Sequence, residues 1–253
     1  RTVQIGMGAE LARLTGIDVV NDFRSADVAA GGHGAPLVPL YHQALVKSAG
    51  VKESIAIINI GGVGNVTYVG NDGSLLAFDT GPGNALIDDW AMTHTGVPVD
   101  QDGAMAEIGE VDVDVLQTLM AHEFFEAKPP KSLDRFSFSP AAVEGLSPPD
   151  GAATLTAFTV EAIARGLAHI PGMPTRFVVC GGGRRNPTLM KMLSRRLQGG
   201  VLPAEDLGWR GDDVEAEAFA YLAVRSLKGL PLSLPTTTGV PHPMPGGVLH
   251  KAI

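Results

Sequence analysis

The chain has 253 residues, 45% of them hydrophobic, with a formal net charge of −8 and one cysteine, Cys180. That length supplies a full core in one large domain or two smaller ones. An acidic balance without a Lys/Arg stripe argues against a nucleic-acid partner, no apolar run approaches a bilayer span, and a lone cysteine excludes an internal disulfide.

The chain begins Arg1-Thr2-Val3 without a methionine, no secretory leader is visible, and we read it as a piece of a longer protein. Gln4-Ile5 reads as the end of a short strand. Ala9 to Thr15 has helical composition, with Gly16 placed to end it. Ile17 to Phe23 reads as a buried strand leading into Asp22-Phe23-Arg24. The stretch from Asp27 to Pro39 is too rich in glycine for a regular element, and Leu40 to Ser48 reads as a helix.

Ser54 to Ile60 is a nearly continuous apolar run, as in a strand covered on both faces. Val66 to Val69 and Leu75 to Phe78 flank Gly70-Asn71-Asp72-Gly73, a hairpin signal. Asn84 to His94 fits a helix, and Lys128-Pro129-Pro130-Lys131-Ser132 interrupts regular structure. A helix is expected from about Ala152 to His169, then a short buried strand from Arg176 to Cys180. Asn186-Pro187 opens another helix, since Asn suits the cap and Pro the first helical position. Val214 to Leu227 reads as an amphipathic helix with Phe219, Ala220, Ala223 and Leu227 on one face. The tail from Leu234, rich in Pro, Thr and Gly, gives no clear element. Alternating strands and helices with one inserted hairpin make an α/β pattern with a mixed sheet.

Three glycine turns end strand-like runs: Asn59-Ile60-Gly61-Gly62-Val63-Gly64-Asn65, Phe78-Asp79-Thr80-Gly81-Pro82-Gly83-Asn84 and Cys180-Gly181-Gly182-Gly183-Arg184-Arg185-Asn186. Glycine lets a backbone approach a ligand closely, and successive N–H groups can cradle a phosphate. One such turn is as readily a structural bend; three in this order point to a nucleotide cleft. Neither the Walker A pattern nor the dinucleotide fingerprint is present.

Asp79 has two readings: a carboxylate that accepts N–H bonds from its own turn, or a general base. Asp22, Arg24 and Asp27 form either a local ion cluster or a set of ligands for a polyhydroxylated molecule. Glu215 lies in the first turn of its helix, where a carboxylate is favoured by the dipole alone. His33 and His42 have no second ligand at metal spacing, so no metal site built by protein alone is expected. No Gly-x-Ser-x-Gly elbow supports a hydrolase triad, and Cys180 reads as a small buried hydrophobe.

Taken together, these segments resemble the anhydro-N-acetylmuramic acid kinases. The resemblance is carried by Asp22-Phe23-Arg24 with the run Asp27 to Pro39, by the turns at 59–67 and 78–84, by Pro129-Pro130-Lys131-Ser132, by Gly181 to Pro187, and by Glu215 to Ala223. It implies an α/β, two-lobed actin-like (ribonuclease H-like) ATPase fold with the N-terminal lobe incomplete in this chain. Residues 1–50 would be the remaining part of the first lobe and 51–235 the second lobe. Residues 236–253 form a tail of uncertain placement. The implied activity is cytoplasmic and uses ATP and Mg²⁺. Water opens the anhydro bridge of 1,6-anhydro-N-acetylmuramic acid and O6 is phosphorylated, giving N-acetylmuramic acid 6-phosphate for cell-wall recycling.

By the same resemblance Asp79 is the base for the attacking water. Gly61, Gly62 and Asn65, with Gly81 and Gly83, face the phosphates. Gly181, Gly182, Gly183 and Asn186 line the adenosine side. Asp22, Arg24, Asp27, Gly32 and His33 lie toward the sugar, with Glu215 near the cleft and Lys131, Ser132 and Arg135 on one wall. A homodimer is suggested by family analogy alone. Position 33, commonly Gln in the family, is His here, and Leu133-Asp134-Arg135-Phe136 replaces the common Thr-Gly-Arg-Glu. The family's opening phosphate loop has no counterpart in residues 1–253, so poor turnover of this chain by itself is expected. The competing readings are a kinase for another anhydrosugar such as levoglucosan, and a non-catalytic nucleotide- or sugar-binding module.

Overall fold

The computed structural model describes residues 2–198 and 200–252. In chain order its elements are α1 (Gly8–Thr15), β1 (Val19–Asn21), α2 (Ser25–Ala29), α3 (Pro39–Ser48), β2 (Ile55–Ile60), β3 (Val63–Val69), β4 (Leu75–Pro82) and α4 (Ala85–Thr95). Then come α5 (Ala104–Ile108), α6 (Val113–Met120), α7 (Pro148–Leu167), β5 (Arg176–Cys180), α8 (Pro187–Leu197), β6 (Gly200–Pro203), α9 (Val214–Leu227), α10 (Pro235–Thr238) and β7 (Val248–His250). The architecture is mixed α/β. A five-stranded sheet runs β4-β3-β2-β5-β6, with β4-β3 and β3-β2 antiparallel and β2-β5 and β5-β6 parallel. β1 and β7 form a separate antiparallel pair.

Period-two alternation explains why β2 reads as unbroken apolar sequence. Ala56, Ile58 and Ile60 face a large core with Phe78, Phe158 and Ile163. Ile55 and Ile57 face a second core with Leu40, Val46 and Trp209. β5 divides likewise, Phe177 and Val179 to the first face, Val178 and Cys180 to the second.

α7 is the central helix of the first face. Ser147 caps it by accepting from the Asp150 amide at 3.3 Å, and Pro148 and Pro149 fill its first turn, where no intrahelical N–H is required. It therefore starts four residues before the sequence reading placed it. Phe158 is fully buried and meets Phe125 and Phe138 edge to face, with ring centroids 5.9 and 5.4 Å away.

Several expectations require correction. Gln4-Ile5 is not in a strand, and the expected 17–23 strand shortens to β1. β4 runs on through Pro82, so Asp79 lies inside a strand and not at its end. α5 and α6 were not foreseen. α9 buries Val214, Ala218 and Leu222, an i, i+4 stripe, while Ala220 and Leu227 are exposed; only Phe219 of the expected face packs inward, against Phe23 at 5.5 Å. The tail is ordered by α10 and by the pairing of Val248–His250 with β1. Asn186 caps α8 as expected, its side chain accepting from the Leu189 amide at 2.9 Å. No described helix is long and apolar enough to cross a membrane.

Phe158→Ala should cost about 3–5 kcal/mol, the loss expected for an aromatic side chain deleted from a rigid core. Urea unfolding would measure it; a loss below about 1 kcal/mol would show that this face is not close-packed.

Candidate active site

The strand registers place four residues in one row across the sheet: Cys180 opposite Asn59, Asn59 opposite Asn65, and Asn65 opposite Asp79. All point to the face opposite α7, because their neighbours Val179, Ile58, Ile60, Val66 and Phe78 point into the first core. The next row inward is Val178, Ile57, Thr67 and Ala77. The second face is thus apolar at its centre and turns polar at the carboxyl ends of β2 and β5, where open α/β sheets place ligands.

A bulge lies just beyond this row. Gly64 opposes Gly81 but Asn65 opposes Asp79, so Thr80 is an extra residue in β4. Asp79 keeps the hairpin register with Asn65 that runs from Leu75, and the slip shifts only the residues beyond it, Gly81 and Pro82.

A cavity of about 360 Å³ stands over the row. Its walls include Arg24, the segment Ala35 to Val38, His42, Asn59, Gly61, Asn65, Asp79, Gly181, Gly182 and Glu215. A second cavity, about 370 Å³, is lined by Asn84, Asp88, Asp100, Gly183 and Asn186, and Gly182 belongs to both walls. Burial and the neighbouring Asp89 push the Asp88 carboxyl up to about 6.

Asp79 is 7% exposed. Burial pushes its carboxyl up to about 6, opposed by the Leu133 amide, Arg24 and Lys131. Leu133 N–H donates to Asp79 Oδ2 at 2.7 Å, and Asp79 N–H donates to the Lys131 carbonyl at 3.0 Å. The 131–133 segment therefore grips Asp79 through main-chain atoms, which any side chain at position 133 can supply. Lys131 is itself buried: its Nζ donates to the Phe124 carbonyl at 3.0 Å and lies 4.2 Å from the Phe124 ring centroid. Burial lowers its ammonium pKa.

The expected sugar-side residues separate. Arg24 lines the cavity and donates to the Gly34 carbonyl. Asp27 does not face it. Its carboxylate is buried and fully engaged, Oδ1 by the Gly34 amide at 2.7 Å and Oδ2 by the Thr238 hydroxyl at 2.5 Å. A Cβ on Gly32 would lie 2.2 Å from Asp27 Oδ1, so that glycine makes room for the same tie. Asp22 adopts φ 51° and accepts from the Ser25 amide at 3.1 Å, opening α2. His33 is exposed and pairs with Ser132 Oγ at 3.2 Å. Glu215 lines the cavity from the first turn of α9.

The glycines separate too. Gly81 packs on α7, where a Cβ would lie 2.6 Å from Ala162 Cβ. Gly83 crosses the first turn, where a Cβ would lie 2.1 Å from the Gly61 carbonyl oxygen; Gly62 accepts the Gly83 amide at 3.0 Å. Gly183 is pressed on Ile60, and Gly181 adopts φ 78° against Asn59 and Ile60. Those four are needed by the fold. Gly61 and Gly182 are different: neither has positive φ, and a Cβ there would meet protein only at 3.7 and 3.4 Å. Neither strain nor packing demands glycine at these two points, and both are bare backbone in the cavity wall.

Three contributors escaped the sequence reading. Asn59 lies in the polar row, and counting by twos from Ile55 and Ile57 would have found it. Asp212 and Glu205 hold Arg184 at 2.8 Å each, and Arg184 Nη1 donates to the Gly181 carbonyl at 2.9 Å. This clamp ties the third glycine turn to the wall at residues 211–215, and no local pattern announces it.

A family model described as anhydro-N-acetylmuramic acid kinase matches residues 1–252. Proteins of that name from Paramagnetospirillum magneticum, Rhizorhabdus wittichii and Rhodospirillum rubrum are 58%, 56% and 56% identical to this chain. The matches cover 99% of this chain and 71%, 68% and 67% of those relatives. Among solved structures, the activator of the 2-hydroxyisocaproyl-CoA dehydratase from Clostridium difficile with bound ADPNP aligns at 16% identity with a TM-score of 0.44. It covers 72% of this chain and 67% of that one.

The glycine distinction predicts unequal responses to alanine. Gly61→Ala should change stability by no more than about 0.5 kcal/mol, whereas Gly83→Ala should cost at least about 2 kcal/mol through its backbone clash. Thermal melts of the two variants measure this, and equal losses would remove the distinction.

Proposed function

The chain belongs to the anhydro-N-acetylmuramic acid kinase family, and on that premise we infer that its cleft opens 1,6-anhydro-N-acetylmuramic acid with water and phosphorylates O6 at the expense of ATP. The observation that carries the reading is a buried carboxylate raised to about 6, standing in one wall with two glycines whose bareness the fold does not require. A phosphate chain fits such backbone, because N–H groups can close on its oxygens where a Cβ would hold them off.

The chemistry follows from what each group can do. Asp79 takes a proton from the water that attacks the anomeric carbon. The bond from that carbon to the bridging O6 breaks, and O6 receives the γ-phosphoryl group while ADP departs. ATP would supply that phosphoryl group, and a Mg²⁺ ion bound with it would neutralise charge that develops in transfer. Among the described residues no group of three His, Cys, Asp or Glu side chains could hold a metal ion, so the ion is read as entering with the nucleotide. Gly61, Asn65, Gly181 and Gly182 line the cavity that would hold the phosphates; Gly183 and Asn186 line the adjoining one, which suits the nucleoside. Arg24 and Glu215 are read as sugar ligands. Asp22, Asp27, Gly32 and His33 are read as the frame of the sugar side, through the ties described above.

The finer architecture proposed is the two-lobed, actin-like ATPase fold. Residues 51–235 would carry the phosphate, catalytic and adenosine motifs, in keeping with a sheet built wholly between Ile55 and Pro203. Residues 1–50 would belong to the other lobe. The tail from 236 is placed with it, supported by the pairing of β7 with β1.

Asp79→Asn should lower kcat with the anhydro sugar about 10³-fold or more while ADP affinity changes little; an unchanged rate would remove Asp79 from the mechanism. The pH profile follows from the direction of the shift. A base must be ionised, and burial raises Asp79, so kcat/KM for the sugar should climb with pH and level off above about 6. A flat profile from pH 5 to 7 would contradict this assignment.

A further inference from the structure

His42 lines the cavity, is 2% exposed, and is used by no step above. It projects from α3 onto β3, where Nδ1 lies 2.8 Å from Thr67 Oγ1. Its other ring nitrogen, Nε2, is buried and has no hydrogen-bond partner among the described residues. A buried polar atom left unmatched is costly, so such an atom in a ligand cavity calls for an explanation.

The proton can be placed by elimination. Burial pushes the imidazole down to about 4, so the ring is neutral at pH 7 and carries one N–H. Thr67 Oγ1 is buried too, and its only hydrogen-bond partner among the described residues is His42 Nδ1. A buried hydroxyl must place its hydrogen, and here only Nδ1 can receive it. Nδ1 therefore accepts, and Nε2 bears the proton. A residue of the cavity wall thus carries a buried, unsatisfied N–H donor, oriented by a threonine.

The position of that donor indicates what it meets. Thr67 is two residues from Asn65 on the same face of β3, one row inward from Asp79. His42 follows the Ala35–Val38 segment that lines the same cavity. The donor thus lies at the end of the cleft where Asp79 would meet its water, away from the second cavity.

We propose that His42 is a specificity-determining residue whose Nε2–H hydrogen-bonds an oxygen of the anhydro sugar at the floor of the cleft. This rests on the kinase reading. It adds a contact supplied by α3 and oriented by Thr67 of the sheet, independent of the Arg24 and Glu215 walls. A sugar lacking an oxygen at that point would leave the donor unmatched, which is how a site rejects a near neighbour.

The test uses the full chain, with 1,6-anhydro-N-acetylmuramic acid and ADP as separate calorimetric probes and steady-state kinetics alongside. The double variant His42→Leu/Thr67→Val replaces both polar partners with apolar groups of similar size, which is close to neutral for folding. It should melt near the parent, bind the sugar 10- to 100-fold more weakly with a matching rise in KM, and bind ADP within twofold. Unchanged sugar affinity in the folded variant overturns the inference, and so does an equal loss of ADP affinity. A parent protein that does not bind the sugar overturns the kinase reading, which the variant result alone would not. Nitrogen-15 NMR of histidine-labelled parent protein needs no variant: the Nε2-protonated form, with that resonance moving on sugar addition, supports the inference. The Nδ1-protonated form, or a resonance indifferent to sugar, sinks it.

Discussion

The site depends on a charge the fold makes uncomfortable. An aspartate in water titrates near 4; burial moves Asp79 to about 6. Between those values the folded chain holds a proton that the unfolded chain has released, so stability falls as pH rises through that window. The order of the cost is about 3 kcal/mol by linkage, a substantial fraction of what holds a domain together. What keeps the carboxylate usable is opposition to that cost: the Leu133 amide at 2.7 Å and the positive charges of Arg24 and Lys131. Desolvation makes Asp79 basic, and those three groups keep it from becoming merely neutral.

The remaining wall is organised around that side chain by strand register. A row of polar residues across four strands requires each strand to end its apolar run at the same level, and the hairpin register that runs from Leu75 to Asp79 brings β4 into line. α7 holds the other side of the sheet rigid, and its Thr159 hydroxyl donates to the Gly83 carbonyl at 2.8 Å. The core opposite the site therefore also fixes the turn beneath it. Arg184 does the same for the third turn through its paired carboxylates.

Much of this was legible in local sequence. The isoleucine run, the Gly70 to Gly73 hairpin and the Asn186 cap depend on neighbours a few residues apart, and so did their reading. What escaped depends on distance along the chain. Asp27 reads as a ligand until Thr238, 211 residues later, occupies one of its oxygens. His42 was judged by metal spacing, whereas its interest lies in a nitrogen that the packing of α3 on β3 leaves unmatched. The buried face of α9 was misjudged because Leu222 and Leu227 offer the same apolar side chain, and only the packing of the helix shows that the buried stripe runs through Val214, Ala218 and Leu222. The segment Leu133 to Phe136 diverges from the common family sequence. That divergence does not reach Asp79, because the bond there comes from the main chain.

The closure of Asp27 by Thr238 also has a consequence for biosynthesis. The ribosome releases the glycine-rich loop more than two hundred residues before the hydroxyl that fastens it. Through most of translation the nascent chain carries Asp27 with one oxygen unclaimed, and β1 without its partner β7. Domains tend to fold in the order they emerge, but this corner cannot. It waits for α10, so the glycine-rich loop becomes native only after Thr238 has emerged.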